Sequence, residues 1–198
     1  ARGLMESELN EFLKRELRDC GYSHFVIRKM GKKSVVIIHA SKMREARGEG
    51  SMRLKMIKSL IQQRFGFNDA NFDVFVTALE KRETNAAAQC ESLRYKLESG
   101  LPVRRAAYSI MRVVMDAGAL GVEIAIAGKL RGMRAKTQKY TTGYLVTSGQ
   151  PGKDFVDEAK ATISMRQGVI GLRVKIFAPS ESKPLPDHVV VHTPAAKL

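Results

Sequence analysis

Met5, Leu9, Phe12, Leu13 and Leu17 recur every three or four residues. That spacing lays one apolar stripe along a helix, and Gly21 follows as a stop signal. Phe25-Val26-Ile27 and Val35-Val36-Ile37-Ile38 are β-branched runs separated by Gly31-Lys32-Lys33, so they predict a hairpin. Leu54, Ile57, Leu60, Ile61 and Phe65 return to helical spacing and are closed by Gly66. Phe72-Asp73-Val74-Phe75-Val76 alternates as a strand does, and Ala86, Cys90, Leu93 and Leu97 form another helical stripe stopped by Gly100. The first half therefore predicts helix–strand–strand–helix–strand–helix.

Gly100-Leu101-Pro102 is the best boundary in the chain, and proline is favoured in the first turn of a helix. The helix it opens carries Val103, Ala106, Ala107, Ile110, Met111 and Val114, up to Gly118. Strands are predicted over 121–127 and 140–147. Asp154 predicts the N-cap of a helix running to Met165, and residues 168–177 form a last strand. Four of the six prolines follow, Pro179, Pro184, Pro186 and Pro194, so the tail should be extended unless a partner holds it. There is no internal repeat. The fold class is α+β.

At 198 residues and 44% hydrophobic content, the chain can bury a core in one large or two small units. Its longest apolar runs fall well short of the ~20 residues a spanning helix needs. Arg2, Glu6 and Glu8 interrupt any signal-peptide pattern at the start. Cys20 and Cys90 lie far apart and outside any C-x-x-C pair, which predicts reduced thiols in an intracellular protein.

Charge changes the picture most. Lys and Arg total 34 and Asp and Glu total 20, a net charge of +14. Such an imbalance speaks of a polyanionic partner. Residues 1–92 hold 17 basic and 12 acidic side chains, a net of +5, and residues 93–198 hold 17 and 8, a net of +9. Two stretches lack carboxylates altogether. Residues 50–68 contain Arg53, Lys55, Lys58 and Arg64; residues 124–153 contain Lys129, Arg131, Arg134, Lys136, Lys139 and Lys153.

Three constellations could use that charge. Gly48-Glu49-Gly50-Ser51 opens a helix, where free N–H groups and the dipole attract phosphate. Glu49 opposes this, and a plain turn capped by Ser51 is the other reading. Arg104 and Arg105 occupy the first turn of the helix after Pro102. Cations there cost about 0.3–1 kcal/mol each, so an outside phosphate, bound bidentately, or a carboxylate such as Glu98 should compensate. The run from Gly128 to Tyr140 joins two predicted strands, with Leu130 and Met133 as candidate anchors and Tyr140 and Tyr144 as stacking surfaces.

Enzyme signals are weak. Gly31-Lys32-Lys33-Ser34 is a chance near miss to a phosphate loop. His188 and His192 lack neighbouring Cys ligands. No catalytic residue, metal, cofactor or small-molecule substrate is indicated.

Seven blocks then follow in order: Glu8-Leu9-Asn10-Glu11-Phe12-Leu13, Gln63-Arg64-Phe65-Gly66-Phe67, Glu91-Ser92-Leu93-Arg94-Tyr95-Lys96-Leu97, Val103-Arg104-Arg105-Ala106, Gly128-Lys129-Leu130-Arg131-Gly132 with Arg134-Ala135-Lys136, Arg166-Gln167-Gly168-Val169-Ile170-Gly171, and Lys183-Pro184-Leu185-Pro186-Asp187-His188. Together, over about residues 6–192, they resemble the KH-domain ribosomal protein family of the small-subunit head, in its eukaryotic form. The resemblance implies an N-terminal helix (1–20), a type II KH domain (21–99), a C-terminal α/β two-layer domain (100–178) and an extended tail (179–198).

It also implies a structural protein of the cytoplasmic ribosome. Its partners would be small-subunit rRNA, neighbouring head proteins, and mRNA at the channel by which it enters the subunit. Arg104 and Arg105 match the arginine pair that lines this channel and assists mRNA unwinding. Lys129, Arg131, Arg134 and Lys136 match a basic loop facing rRNA, and we add Lys139, Arg53 and Lys55 as rRNA candidates. The KH loop departs from the family pattern, which has glycine at Ser51 and usually a basic residue at Gly50. Two alternatives belong to other classes: a DNA-repair lyase or nuclease side activity, and a free KH-type RNA-binding regulator.

Overall fold

The computed structural model describes residues 2–31, 33–130, 132–178, 189 and 191. The elements run α1 (Arg2–Glu16), β1 (Tyr22–Met30), β2 (Lys33–Ala40), α2 (Met43–Arg47), α3 (Met52–Phe65), β3 (Phe72–Ala78) and α4 (Ala86–Glu98). Then follow α5 (Val103–Asp116), β4 (Gly121–Gly128), β5 (Lys136–Gly143), α6 (Gly149–Asp154), β6 (Val156–Met165) and β7 (Gly168–Phe177).

The first sheet has the order β1-β2-β3. The hairpin makes β1 and β2 antiparallel, whereas β2 and β3 are parallel, which requires a crossover; α2 and α3 supply it. Val36 pairs with Val74 and Ile38 with Val76, so their side chains share one face. On that face lie Leu9 and Leu13 of α1, Leu17 just beyond it, and Ile57 and Ile61 of α3, all buried.

The second sheet has the order β5-β4-β7-β6 with every neighbour antiparallel. Val122, Ile124 and Ile126 of β4 and Leu172, Val174 and Ile176 of β7 face Ala106, Ala107, Ile110 and Val114 of α5. Among the described residues the helices of this core, α4 and α5, pack on one side of the sheet only. On the other side Lys139, Ala125, Arg173 and Lys160 form one cross-strand row.

Three expectations are corrected. The segment expected as a helix from Asp154 to Met165 is strand β6 from Val156 onward, and Asp154 instead closes the short helix α6. Ala159, Ala161, Ile163 and Met165 turn inward while Lys160, Thr162 and Ser164 stay exposed, a period of two. The helix-forming Ala and Lys residues are overruled by pairing with β7 through the two-residue turn Arg166-Gln167. The strand expected over 140–147 runs over 136–143 instead. It is an edge strand, where lysines are tolerated because they blunt open pairing.

The third correction concerns α4. The resemblance implies a KH domain that extends to residue 99, yet Ala86, Cys90, Leu93 and Leu97 belong to the second core with α5. The division between cores falls just before Ala86. Its seam is held by Arg94, which bonds Glu91 at 2.6 Å and Glu98 at 3.0 Å on its own helix and Asp19 at 3.1 Å beyond α1. Asp157 of β6 caps α4 from outside by accepting from Ala86 N–H at 2.8 Å.

Gly121 shows how tightly β4 starts. A Cβ there would lie 2.0 Å from the Tyr144 carbonyl oxygen, because the chain folds back to bond Tyr144 N–H to Leu120 O at 2.9 Å. The expected tail lies outside the described residues apart from Val189 and Val191.

Candidate nucleic-acid interface

The two acid-free stretches behave differently. In residues 50–68 three of the four cations find carboxylates from elsewhere in the chain. Arg53 lies 3.7 Å from Glu16, Lys58 3.0 Å from Asp73 and Arg64 2.6 Å from Glu8. Arg53 is turned inward: its guanidinium also donates to Cys20 Sγ at 3.3 Å and to the Glu16 and Glu45 carbonyls. As an rRNA candidate it is therefore spent on the fold, which leaves Lys55 exposed beside it. In residues 124–153, by contrast, Lys129, Arg134, Lys136, Lys139 and Lys153 are exposed, and none has a salt-bridge partner among the described residues. Arg131 lies outside the described residues.

Arg104 and Arg105 stand exposed on the first turn of α5, which has no acid in that turn. Glu98, the compensating carboxylate considered for them, is bonded to Arg94 instead. No carboxylate among the described residues pairs with either arginine. Arg104 lies over the ring of Tyr108, 5.6 Å from its centroid. Tyr108 in turn meets Tyr140 of β5 edge-on at 5.8 Å. These groups wall a groove of about 1070 Å³ between the α4–α5 turn, the β4–β5 connection and the β6–β7 turn.

Lys129 and Leu130 enter this groove from the connection. Leu130 packs on the second core and anchors the loop, whereas Met133 is 96% exposed and anchors nothing. Lys136 and Lys139 belong to strand β5 rather than to a loop. Lys139 borders the groove beside Tyr140, although strand alternation turns its side chain toward the helix-free face. Tyr144 packs on Phe177 at 5.8 Å. Arg166, on the β6–β7 turn, is a groove residue that reading the sequence missed. The helix expected there hid the hairpin that presents it; the two-residue period before it was the available signal. Arg105 faces a second cleft of about 640 Å³ with Ser109, Arg112 and Asp116.

The KH-type loop is far from relaxed. Gly48, Gly50 and Ser51 all have positive φ, 72°, 57° and 61°. Ser51 makes no side-chain cap for α3, so the capped-turn reading fails. Its left-handed backbone is one that glycine adopts more readily than serine. Glu49 stays exposed at this end.

Elsewhere, burial lowers the Lys96 pKa, and its ammonium donates to Ser109 Oγ at 2.7 Å, bracing α4 on α5. Burial pushes the Cys90 thiol up to about 12. Among the described residues no His, Cys, Asp and Glu group could hold a metal ion, and no helix is long and apolar enough to cross a membrane. His188 and His192 lie outside the described residues.

Comparison with known proteins now bears on this surface. Residues 8–84 match the KH domain, and residues 93–176 match "Ribosomal protein S3, C-terminal domain". Small ribosomal subunit protein uS3 of Schizosaccharomyces pombe is 45% identical over 198 residues, covering 98% of this chain and 80% of that protein. The chain belongs to the ribosomal protein S3 family. The KH match ends before α4 and the S3 C-terminal match begins within it, which agrees with α4 packing in the second hydrophobic core. In this S3 family member the acid-free stretch whose described cations stay unpaired, residues 124–153, lies in the C-terminal match.

Proposed function

We propose that this chain is a structural, non-catalytic constituent of the small ribosomal subunit, acting on the cytoplasmic ribosome. Its C-terminal domain binds rRNA through Lys129, Arg131, Arg134, Lys136 and Lys139, with Lys55 adding charge from the KH domain. Arg104 and Arg105 contact mRNA as it enters. Neighbouring head proteins complete its surroundings. One observation carries this reading: the cations of 124–153 keep no internal carboxylate partner among the described residues, while most of those of 50–68 are neutralised within the fold. Cations left unpaired on a folded surface are available to phosphates. The KH loop adds little, since Glu49 meets any phosphate there.

A lyase would need an accessible amine of lowered pKa. Lys96 has the lowered pKa but lines neither cleft described above, so we assign no catalytic role.

Sucrose-gradient sedimentation in moderate salt tests particle membership. The protein should travel with the small subunit; recovery mainly outside those fractions would favour a free RNA-binding regulator. Arg104→Ala combined with Arg105→Ala should leave folding near normal and slow translation through a stable mRNA hairpin. Undiminished passage would count against the pair.

A further inference from the structure

The inward-facing rows of the KH sheet are not filled evenly. Phe25 pairs with Ile38, and Ile38 with Val76; Ile27 pairs with Val36, and Val36 with Val74. These two rows give α1 and α3 an apolar floor. Strand side chains repeat every two residues, so the next row on the same face is Lys29, Ser34 and Phe72. There a lysine and a serine stand where the other rows carry large apolar groups. A cleft of about 240 Å³ opens over this row, between α1, α3 and the sheet.

Its walls are apolar. Leu9 of α1, Ile61 of α3, Val36 and Phe72 line it, and each is no more than 2% exposed. Phe67 lines it too, stacked on Phe72 with ring centroids 4.7 Å apart. Among the described residues no carboxylate lines the cleft, and Lys29 is its one cation. Lys29 is exposed and has no salt-bridge partner among the described residues.

An apolar cavity holds water poorly and gains from an apolar occupant. This volume lies below the range of about 300–1,000 Å³ that serves drug-sized ligands. It suits one aromatic side chain, the kind of anchor that protein interfaces seat in pockets, and Phe67 and Phe72 offer that ring favourable contacts. The unpaired ammonium beside it calls for a carboxylate next to the anchor. A second copy of this chain answers that need poorly, because it would bring a surface of net charge +14 to the same lysine.

We propose that this cleft is a docking pocket for an acidic partner protein, which inserts one aromatic side chain beside Phe67 and Phe72 and sets an adjacent carboxylate against Lys29. This rests on the reading above that neighbouring head proteins surround the chain, and specifies what one of them contributes.

The test uses the intact chain, isotope-labelled, and the capped dipeptide acetyl-Phe-Glu-amide, titrated by amide chemical shifts. Shifts should cluster at Ser34, Phe67 and Phe72. Acetyl-Ala-Glu-amide should bind more weakly by at least about ten-fold, since it leaves the apolar cleft unfilled. Acetyl-Phe-Gln-amide should bind about two- to five-fold more weakly, as loss of one exposed ion pair implies. Lys29→Gln should erase the difference between the glutamate and glutamine peptides and keep that between the phenylalanine and alanine peptides. Ser34→Phe fills the cleft from within and should abolish binding. Melting curves check that it is folded; Lys29→Gln, at an exposed position, decides the matter if it is not.

Equal binding of the phenylalanine and alanine peptides, a preference for glutamate that survives Lys29→Gln, or a wild-type chain without shifts at the cleft overturns the pocket. Self-association in the ultracentrifuge that Ser34→Phe removes would assign the cleft to a second copy and overturn it as well. These outcomes all leave co-sedimentation with the small subunit untouched. Failure of that co-sedimentation instead overturns the ribosomal reading on which the partner's origin rests.

Discussion

Removing positive charge from this protein should have two separable consequences, depending on where the charge resides. Consider Lys129→Ala, Arg134→Ala and Lys136→Ala together. All three side chains are exposed and lack salt-bridge partners among the described residues. Their loss should leave the melting temperature nearly unchanged, because surface substitutions away from specific contacts shift stability by only about 0.5 kcal/mol. On duplex-like rRNA each phosphate contact contributes about 0.9 to the log–log salt slope. The triple variant should therefore show a slope smaller by about 2.7. Between about 50 and 200 mM salt it should lose roughly 40-fold less affinity than the wild type.

Arg53→Ala removes one charge and should do the reverse. Arg53 donates to Cys20 Sγ and to the Glu16 and Glu45 carbonyls and pairs with the Glu16 carboxylate. Charged hydrogen bonds contribute about 1.5–3 kcal/mol when buried; with partial solvent screening a total near 2 kcal/mol is expected. For a chain of this size that is roughly 4–8 °C of melting temperature, with the salt slope little altered. Filter binding of an rRNA transcript at several salt concentrations, alongside calorimetry, separates the two effects. An unchanged slope in the triple variant, or a comparable fall in its melting temperature, would refute the reasoning.

Other expectations follow from local geometry. Ser51→Gly should stabilise the protein by about 0.5–1 kcal/mol, since the left-handed backbone at φ 61° penalises a side chain more than glycine's extra chain entropy costs; denaturant titration reads this. Gly121→Ala should prevent normal packing of β4, its Cβ falling 2.0 Å from Tyr144 O, and soluble yield with near-ultraviolet circular dichroism would report it. Burial, and then the His39 ring stacked at 4.5 Å, lower the His24 pKa, with Asp157 opposing. The folded state thus declines a proton that the unfolded chain accepts as pH falls below the ordinary histidine value of about 6.5. Stability should drop between neutral pH and about pH 5, and His24→Gln should reduce that drop in a melting series. The buried Cys90 thiol, raised to about 12, should resist a thiol reagent until denaturant is added, because the thiolate is the reactive form.

Much of this architecture is local and therefore readable from the chain. The stripe through Leu9, Leu13 and Leu17, the β-branched runs at 25–27 and 35–38, and the cluster from Ala106 to Val114 each match their element because spacing alone decides which face is buried. The charge asymmetry and the arginine pair were equally plain. Residues 154–165 were not: Ala and Lys favour a helix, and the strand exists only because β7 offers hydrogen bonds along its whole length. Missing that hairpin also concealed Arg166, which reaches the groove from a turn more than sixty residues beyond Arg104.

Sequence alone determined how many cations this protein carries and which stretches lack acids. Tertiary structure decided which of those cations remain free. Glu8, Glu16 and Asp73 lie far along the chain from Arg64, Arg53 and Lys58, and only folding brings them within bonding distance. The physical reason is that Coulomb attraction and hydrogen bonding depend on separation in space, whereas helix and strand periodicity depends on separation along the chain.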